Sequence, residues 1–315
     1  MNNFNNLMQS KSLYDPSFEH DSCGVGFIAR IDGNPSHSII EDSIKILHNL
    51  EHRGAVGSDQ ATGDGSGLLI RIPDLFFRRE CLDMGLKLPD AGDYCVAMIF
   101  LPGDKKSSEY CTKVFENIVM EEKCEIIGWR DVPVNPAGIG ELARSTQPQI
   151  RQLFLSRGLW DHDVFERKLY VIRRIVENEL NADEQSVLNQ FYVTSMSSRT
   201  INYKGFMNGE DLPNFFPDLH DKDFKSPFAI VHQRYSTNTF PSWNLAEPLE
   251  HGPVVNEFGL NTDVKGNLIV DSNMMTSVPG VFAAGDSVMG ASLVVKAIKQ
   301  GRKAAEAADR YLATI

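Results

Sequence analysis

The sequence has few of the features that hold metals, cross membranes or bind nucleic acids. None of its five cysteines forms a C-x-x-C pair, so zinc and iron–sulfur sites have no support. No apolar run reaches the ~18 residues that cross a bilayer, and the N-terminus lacks the apolar core of a secretory signal. A net charge of −11 without a basic cluster argues against nucleic-acid binding. We therefore expect a cytoplasmic protein with reduced thiols.

One cysteine stands apart from the other four. Cys23 lies between small residues in DSCGVGF (residues 21–27), after a polar leader and before an apolar run that predicts a strand. Cleavage after Ser22 would place the thiol at an N-terminus, where the α-amine, which titrates near pH ~8, can take its proton. The alternative is an ordinary small residue before a strand. The segment at 24–29 also fits G-x-G-x-x-A, but a strand follows it, the reverse of the dinucleotide-binding order.

The order of the apolar segments predicts an α+β protein. Strand candidates are grouped against a few helices and do not alternate regularly with them. A connector rich in proline, glycine and glutamine covers residues 135–149. A helix predicted over residues 107–121 should turn Val114, Ile118 and Met120 inward. Helices are predicted from residue 36 or 38 to near 54, over 73–77 and over 107–121, and strands over 67–73, 94–101, 124–134, 229–236 and, as a pair broken at 197–198, over 191–204.

The composition changes near Gly252, after which the chain has few aromatic residues and many small ones. We expect strands over 266–270 and 281–284, the latter buried, and a long helix over 290–312. Gly285 and Asp286 lie between the second strand and this helix. A helix N-terminus attracts phosphate. A carboxylate at the same place can accept a hydrogen bond from a ribose or ribitol hydroxyl.

Four stretches resemble the N-terminal domain of the glutamate synthase large subunit. They are HDSCGVGFIA, LEHRGAVGSDQATGDGSGLLIRIP, FYVTSMSSRTINYKG and FAIVHQRYSTNTFPSWNLAEP, and they occur in the family's order over about residues 10–248. The resemblance implies an N-terminal-nucleophile glutamine amidotransferase, which hydrolyses glutamine to glutamate and ammonia. It also implies an αββα sandwich over residues 23–248, after a propeptide of residues 1–22.

Two residues match functional positions of that family. Cys23 aligns with the nucleophile that removal of the leader exposes, and Arg234 aligns with the arginine that binds the α-carboxylate of the substrate. A planar guanidinium suits this role because it makes a bidentate, charge-assisted pair with a carboxylate. Without the resemblance, Arg234 would be interpreted as a surface ion-pair residue in a strand. The HRG motif at 52–54 and the GDGSG loop at 63–67 are assigned to support of the fold and of the site wall.

The tail resembles a different chain. Residues 253–315, with GVFAAGDSVMGASLVVKAIKQGRKAAEAADRYL, are similar to the C-terminal end of the glutamate synthase small subunit. That subunit is a reductase that binds flavin and NADPH, and its Gly-Asp pair, here Gly285 and Asp286, contacts FAD. The alternative is a buried strand that ends in a turn. The resemblance implies that an incomplete sandwich is followed by a strand–turn–helix remnant of a flavin reductase.

The chain departs from both family members. After NLAEP the large subunit continues with an Asn-Gly segment for the oxyanion hole and an Asp for the α-amine of the substrate, and neither occurs here. The FMN barrel, the iron–sulfur cysteines and both nucleotide G-x-G motifs are also absent from the sequence. The family uses FMN, FAD, NADPH and iron–sulfur clusters, but we expect this chain to bind none of them firmly.

Three hypotheses from different classes follow. The first is a working glutaminase that takes glutamine as substrate and another glutamate synthase chain as partner, which would supply the missing strands and oxyanion donors. The second is a flavin-binding module, although a Gly-Asp turn holds a flavin only beside a glycine-rich phosphate loop. The third is a catalytically inactive fusion fragment. The motifs favour descent from a working glutaminase, and they favour a catalytically inactive fusion fragment as the present state of the chain.

Overall fold

The structure, a computed structural model, describes residues 24–55, 59, 61–181, 190–234, 241–244, 246, 260, 261, 263, 267–289 and 294–312. These residues fall into two compact units, one that ends at residue 246 and one that begins at residue 260. Within the described ranges, no helix is both long enough and apolar enough to cross a bilayer.

The first unit is a mixed α and β domain. Single turns of 3-10 helix lie at Glu51–Arg53 and Pro217–His220. In chain order its elements are β1 (Gly24–Ala29), α1 (His37–Asn49), β2 (Ser66–Arg71), α2 (Asp74–Asp83), β3 (Tyr94–Leu101), α3 (Lys105–Glu121), β4 (Glu125–Asp131), α4 (Glu141–Ser145), β5 (Gln149–Ser156), α5 (His162–Asn181), β6 (Tyr192–Ser197), β7 (Thr200–Gly205), α6 (Leu212–Phe215) and β8 (Phe228–Gln233).

The eight described strands form two antiparallel sheets. The first sheet has the order β1–β8–β2–β7, and the second has the order β4–β5–β3–β6. In the first sheet, the ladder between β1 and β8 runs from Gly24 opposite Gln233 to Ala29 opposite Phe228. No βαβ alternation is needed to build either sheet, which agrees with the α+β expectation and with an N-terminal-nucleophile type of domain.

Strand β3 shows how the layers are stacked, because it is buried along its whole length. Its residues Val96, Met98 and Phe100 lie in a core cluster to which both sheets and the helices α1 and α2 contribute. The intervening residues, including Cys95 and Ile99, lie in a second cluster that α3 and α5 cover. Successive side chains of a strand point to opposite faces, so a strand that is apolar throughout must have a packed layer on each side.

Helix boundaries follow local capping. The side chain of Ser36 accepts the Ser38 N–H at 3.2 Å and caps α1, so the helix begins directly after Ser36, the earlier of the two predicted starts. Helix α3 begins two residues earlier than predicted, because the Asp104 carboxylate accepts the Ser107 N–H at 2.9 Å. The prediction that Met120 points inward is wrong. Its side chain is 58% exposed, and the neighbouring Val119 takes the buried position.

The predicted connector and the segment after it contain three elements that were not predicted from the sequence. Residues 135–149 hold the short helix α4 and end at the first residue of β5, and the 20-residue helix α5 follows. The inward face of α5 carries Phe165, Leu169, Ile172 and Val176 at helical spacing. This pattern was available in the sequence and would have predicted the helix.

Among the described residues of the second unit, the helices are α7 (Asp286–Met289) and α8 (Val294–Leu312). The two strands predicted here are not formed among the described residues. Residue 268 makes a single bridge, and Phe282 pairs only with Met275. The prediction of a buried strand over 281–284 is also wrong on burial, since these residues are half-exposed. The N–H of Val281 donates back to Val278 O, so the chain turns where a strand would need an extended neighbour. The first residues of the predicted helix, 290–293, lie outside the described residues.

Candidate active site

The ends of three strands of the first sheet meet at one point. Gly24 begins β1 opposite Gln233, the last residue of β8, and Ser66 begins β2 opposite the same glutamine. Arg234 follows Gln233, and its N–H donates to Gly65 O at 2.8 Å, which continues the ladder by one residue. This backbone hydrogen bond holds Arg234 at the end of the sheet where Gly24 and Ser66 begin their strands, and only 9% of the surface of Arg234 is exposed.

Of the two residues proposed from the large-subunit resemblance, the structure describes one. Arg234 lies at the end of β8, as stated above. Cys23 and the leader before it lie outside the described residues. The remaining four cysteines (Cys81, Cys95, Cys111 and Cys124) are all buried and free. Burial raises the pKa of Cys81 to about 11 and of Cys111 to about 11, so these thiols stay protonated near neutral pH.

The loop before β2 is tied to the rest of the first unit by Asp59. Its carboxylate accepts the N–H of Leu142 at 3.1 Å, the N–H of Thr62 at 2.6 Å and the hydroxyl of Thr62 at 2.9 Å. The hydrogen bond from Leu142 and then those from Thr62 lower the pKa of Asp59, because they favour the ionised form. The loop that leads to Gly65 is thereby joined to the first turn of α4.

The HRG motif supports the same region. The Nδ1–H of His52 donates to Asn49 O at 2.9 Å, which extends the end of α1 into the 3-10 turn. Gly54 has no side chain, and a Cβ at this position would lie 2.5 Å from the amide nitrogen of Gln233. Because Gln233 precedes Arg234, the glycine of this motif leaves the space that the last residue of β8 occupies.

A buried polar network that sequence reasoning missed links the two sheets. Arg130, on β4, donates two hydrogen bonds of 2.8 Å to the carboxylate of Asp218, and a further one of 2.8 Å to Glu80. Tyr203, on β7 of the first sheet, donates to Asp218 at 2.8 Å and accepts from Gln152, on β5, at 3.0 Å. Burial, followed by the Asp218 carboxylate, raises the pKa of Tyr203 well above its usual value. No sequence motif could have found the network, because its members lie up to 138 residues apart (218 − 80).

A small exposed cluster at the far end of α1 could hold a metal ion. One ligand atom from each of His48, Glu51 and Glu210 lies within 4.8 Å of the others. Next to it, burial and the charge of Glu210 raise the pKa of Asp211 to about 6. All three potential ligands are exposed, and such groups often occur without a metal.

In the second unit, Gly285 adopts a left-handed conformation with φ of +74°, which favours glycine. Its N–H donates to the side-chain oxygen of Gln300, on α8, at 2.8 Å. Asp286 is the first residue of α7. The N–H of Gly285 is therefore hydrogen-bonded within the unit.

Comparison with known proteins identifies the family. Residues 23–277 match the family described as glutamine amidotransferases class-II. The chain is 42% identical over 267 residues to the glutamate synthase (NADPH) large chain of Bacillus subtilis (strain 168), which covers 84% of this chain and 17% of the relative. The corresponding large chain of Azospirillum brasilense is also 42% identical, with 83% and 17% covered. Glutamate synthase (NADH) of Saccharomyces cerevisiae is 38% identical, with 88% and 13% covered.

These matches bear on the extent of the domain. The chain spans about a sixth of the length of the two bacterial large chains. The family match runs past Pro248 to residue 277, and these relatives give no support to the similarity of residues 253–315 to a small subunit. By its match over 255 of 315 residues (23 to 277), this chain belongs to the class-II glutamine amidotransferases.

Proposed function

We propose that the first unit is a glutaminase domain in which Cys23 becomes the N-terminal nucleophile after removal of residues 1–22. The observation that carries this proposal is the register of the first sheet. Gly24 lies opposite Gln233, and Arg234 continues the ladder toward Gly65. A residue that preceded Gly24 in the same register would face Arg234 across the strand pair. The nucleophile and the carboxylate-binding arginine would then share one end of the sheet.

The proposed reaction uses few groups. The α-amine of Cys23 takes the thiol proton, and the thiolate attacks the side-chain amide carbon of glutamine. The C–N bond breaks and the nitrogen leaves as ammonia with that proton. Water then attacks the thioester carbonyl, which releases glutamate and restores the thiol. Arg234 would hold the α-carboxylate through a bidentate pair and so fix the distance between the amide and the sulfur.

We also propose the context in which this domain works. The relatives are named glutamate synthases, so the ammonia would feed reductive glutamate synthesis, with glutamine as substrate and other glutamate synthase chains as partners. The family's oxyanion donors follow NLAEP and have no counterpart in this sequence. A partner chain that supplies them would therefore complete the site. We place the protein in the cytoplasm, as the composition suggests.

For the tail we propose descent of residues 253–315 from a small-subunit reductase, which the Gly-Asp turn before a long helix supports. The residues present do not fit a flavin, however. The N–H of Gly285 is already bonded to Gln300, and no glycine-rich phosphate loop occurs in this part of the sequence. We therefore assign no step to Gly285 and Asp286, and the remnant is proposed as a structural descendant without FAD or NADPH.

The proposal is tested by mass spectrometry of the purified chain with and without a glutamine-shaped diazoketone. This reagent alkylates the thiol of the site once the protein has bound the α-carboxylate of the reagent. We expect a mature chain that begins at Cys23 and carries one label. Cys23→Ala should remove the label, whereas Cys81→Ala, which changes a buried thiol, should not. A chain that still begins at Met1 and remains unlabelled would overturn the proposal.

A further inference from the structure

Two alternate glycines leave a depression on one face of the first sheet. Gly65 precedes β2 and Gly67 lies within it, so both would point their side chains to the same face if they had any. On that face, Gly67 lies between His232 on β8 and Lys204 on β7. Arg234, two residues after His232, belongs to the same face. We call the surface formed by Gly65, Gly67, His232 and Lys204 the glycine trough.

The backbone of residues 244 and 246 lies in the glycine trough. A Cβ on Gly65 would come within 2.6 Å of the Ala246 Cβ, so only glycine leaves room for it. The Nε2–H of His232 donates to Ala246 O at 3.0 Å. The ammonium of Lys204 donates to Asn244 O at 3.3 Å. One donor from each wall of the trough therefore holds a carbonyl on either side of residue 245.

Trp243 secures the beginning of the same segment. Its ring would lie 3.1 Å from a Cβ on Gly205, and its Nε1–H donates to Ala143 O at 3.0 Å. Lys204 itself is fully buried, and its nitrogen lies 4.2 Å from the centroid of the Tyr192 ring. Burying an ammonium is costly compared with an apolar side chain of equal length. If this side chain served only to fill the core, a methionine would do so with a smaller desolvation penalty.

The trough is coupled to the proposed site through Gly65. The carbonyl of Gly65 accepts the N–H of Arg234 at 2.8 Å, while Ala246 packs on the Cα side of the same residue. Displacement of Ala246 would free Gly65, a glycine at φ of +134°, to change conformation and to release Arg234. We propose that Lys204 and His232 are positioning residues, which hold residues 244 and 246 in the trough so that Arg234 stays aimed at the substrate carboxylate. This inference rests on the proposed glutaminase function.

The test compares two thiol reagents on the full chain. One is the glutamine-shaped diazoketone, which needs its carboxylate bound, and the other is iodoacetamide, which has none. We expect Lys204→Met to slow labelling of Cys23 by the diazoketone about tenfold or more, with the iodoacetamide rate changed less than about twofold. The matched control is Tyr203→Phe, which removes a buried hydrogen bond from the adjacent residue of β7 on the opposite face and should change neither rate.

A conservative pair separates positioning from general destabilisation. In His232→Gln the amide can donate to Ala246 O, so diazoketone labelling should be retained, whereas His232→Leu should slow it as Lys204→Met does. Equal slowing with both reagents, or in Tyr203→Phe as well, would overturn the inference, because it would indicate only loss of stability.

Hydrogen exchange measures the trough independently of any activity. The backbone amides of residues 243, 244 and 246 should exchange about tenfold faster in Lys204→Met and His232→Leu than in the wild-type chain or in Tyr203→Phe. Unchanged exchange would overturn the inference whatever the labelling rates. If the wild-type chain reacts no faster with the diazoketone than with iodoacetamide, the proposed function is overturned. The exchange data would still decide whether Lys204 and His232 hold residues 244 and 246.

Discussion

The two units of this protein hold comparable features in different ways. In the first unit, Gly65 lies under Ala246, and its carbonyl belongs to a ladder at the edge of a core shared by two sheets. In the second unit, Gly285 is also a glycine at positive φ, but its N–H donates to the side chain of Gln300, and the described residues around it form single-residue bridges and no sheet. A glycine turn becomes part of a preorganised site only where packed layers determine its neighbours.

The largest loss of stability is expected from a substitution in the buried polar network that joins the two sheets of the first unit. Arg130→Met should lower the free energy of unfolding by about 3–5 kcal/mol, because the carboxylates of Asp218 and Glu80 lose a buried cation. Urea denaturation measures the change. Arg174→Met removes an exposed arginine from its pair with Glu177 and should cost less than about 1 kcal/mol. Equal losses in the two variants would contradict the role of the network.

The next effect concerns the reaction of the first unit. Glutaminase turnover by the isolated chain should be near background, because no Asn-Gly pair follows NLAEP to stabilise the oxyanion. Insertion of the family's large-subunit segment after Pro248 should raise ammonia release by about 10²- to 10³-fold. Cys23→Ala should abolish the gain. Equal rates before and after insertion, both dependent on Cys23, would show that the present chain already builds an oxyanion hole.

A smaller effect is expected for the second unit. Its turn at Gly285 and Asp286 could offer one or two hydrogen bonds at about 1 kcal/mol each, which does not offset an association cost of about 4–15 kcal/mol. The purified protein should therefore be colourless after gel filtration, and added FAD should keep its free fluorescence. A yellow protein that retains flavin through the column would contradict this prediction and would make the two units functionally alike.

The smallest effect is a pH dependence in the first unit. The pKa of Asp211 is raised to about 6 by burial and then by Glu210, so the folded state holds a proton that the unfolded state releases near pH 4. Stability should therefore fall as pH rises from about 4 to 6, by about 1 kcal/mol after allowance for solvent screening. Asp211→Asn should flatten this part of the stability profile in urea denaturation at a series of pH values. Parallel profiles would contradict the assignment.

Much of the first unit was predictable because its signals are local. Alternation and β-branching predicted β1, β3, the β6–β7 pair and β8, and a polar residue before an apolar stripe predicted α1. The error at Met120 arose because Val119 and Met120 are both apolar neighbours, and only packing against the second sheet selects which of them is buried. The predicted strands of the second unit failed because an extended segment needs a partner strand, and their composition could not show that none is formed among the described residues.

The sequence by itself determined the family, through motifs of defined spacing around Cys23 and Arg234, and it determined which segments are apolar enough to form the layers. Only the tertiary structure decided what the GDGSG loop does. Whether Gly65 and Gly67 form a trough depends on Lys204 and His232, which lie more than 130 residues away and meet the loop through strand pairing. Pairing register depends on the whole core, because a shift of one residue turns every side chain to the opposite face.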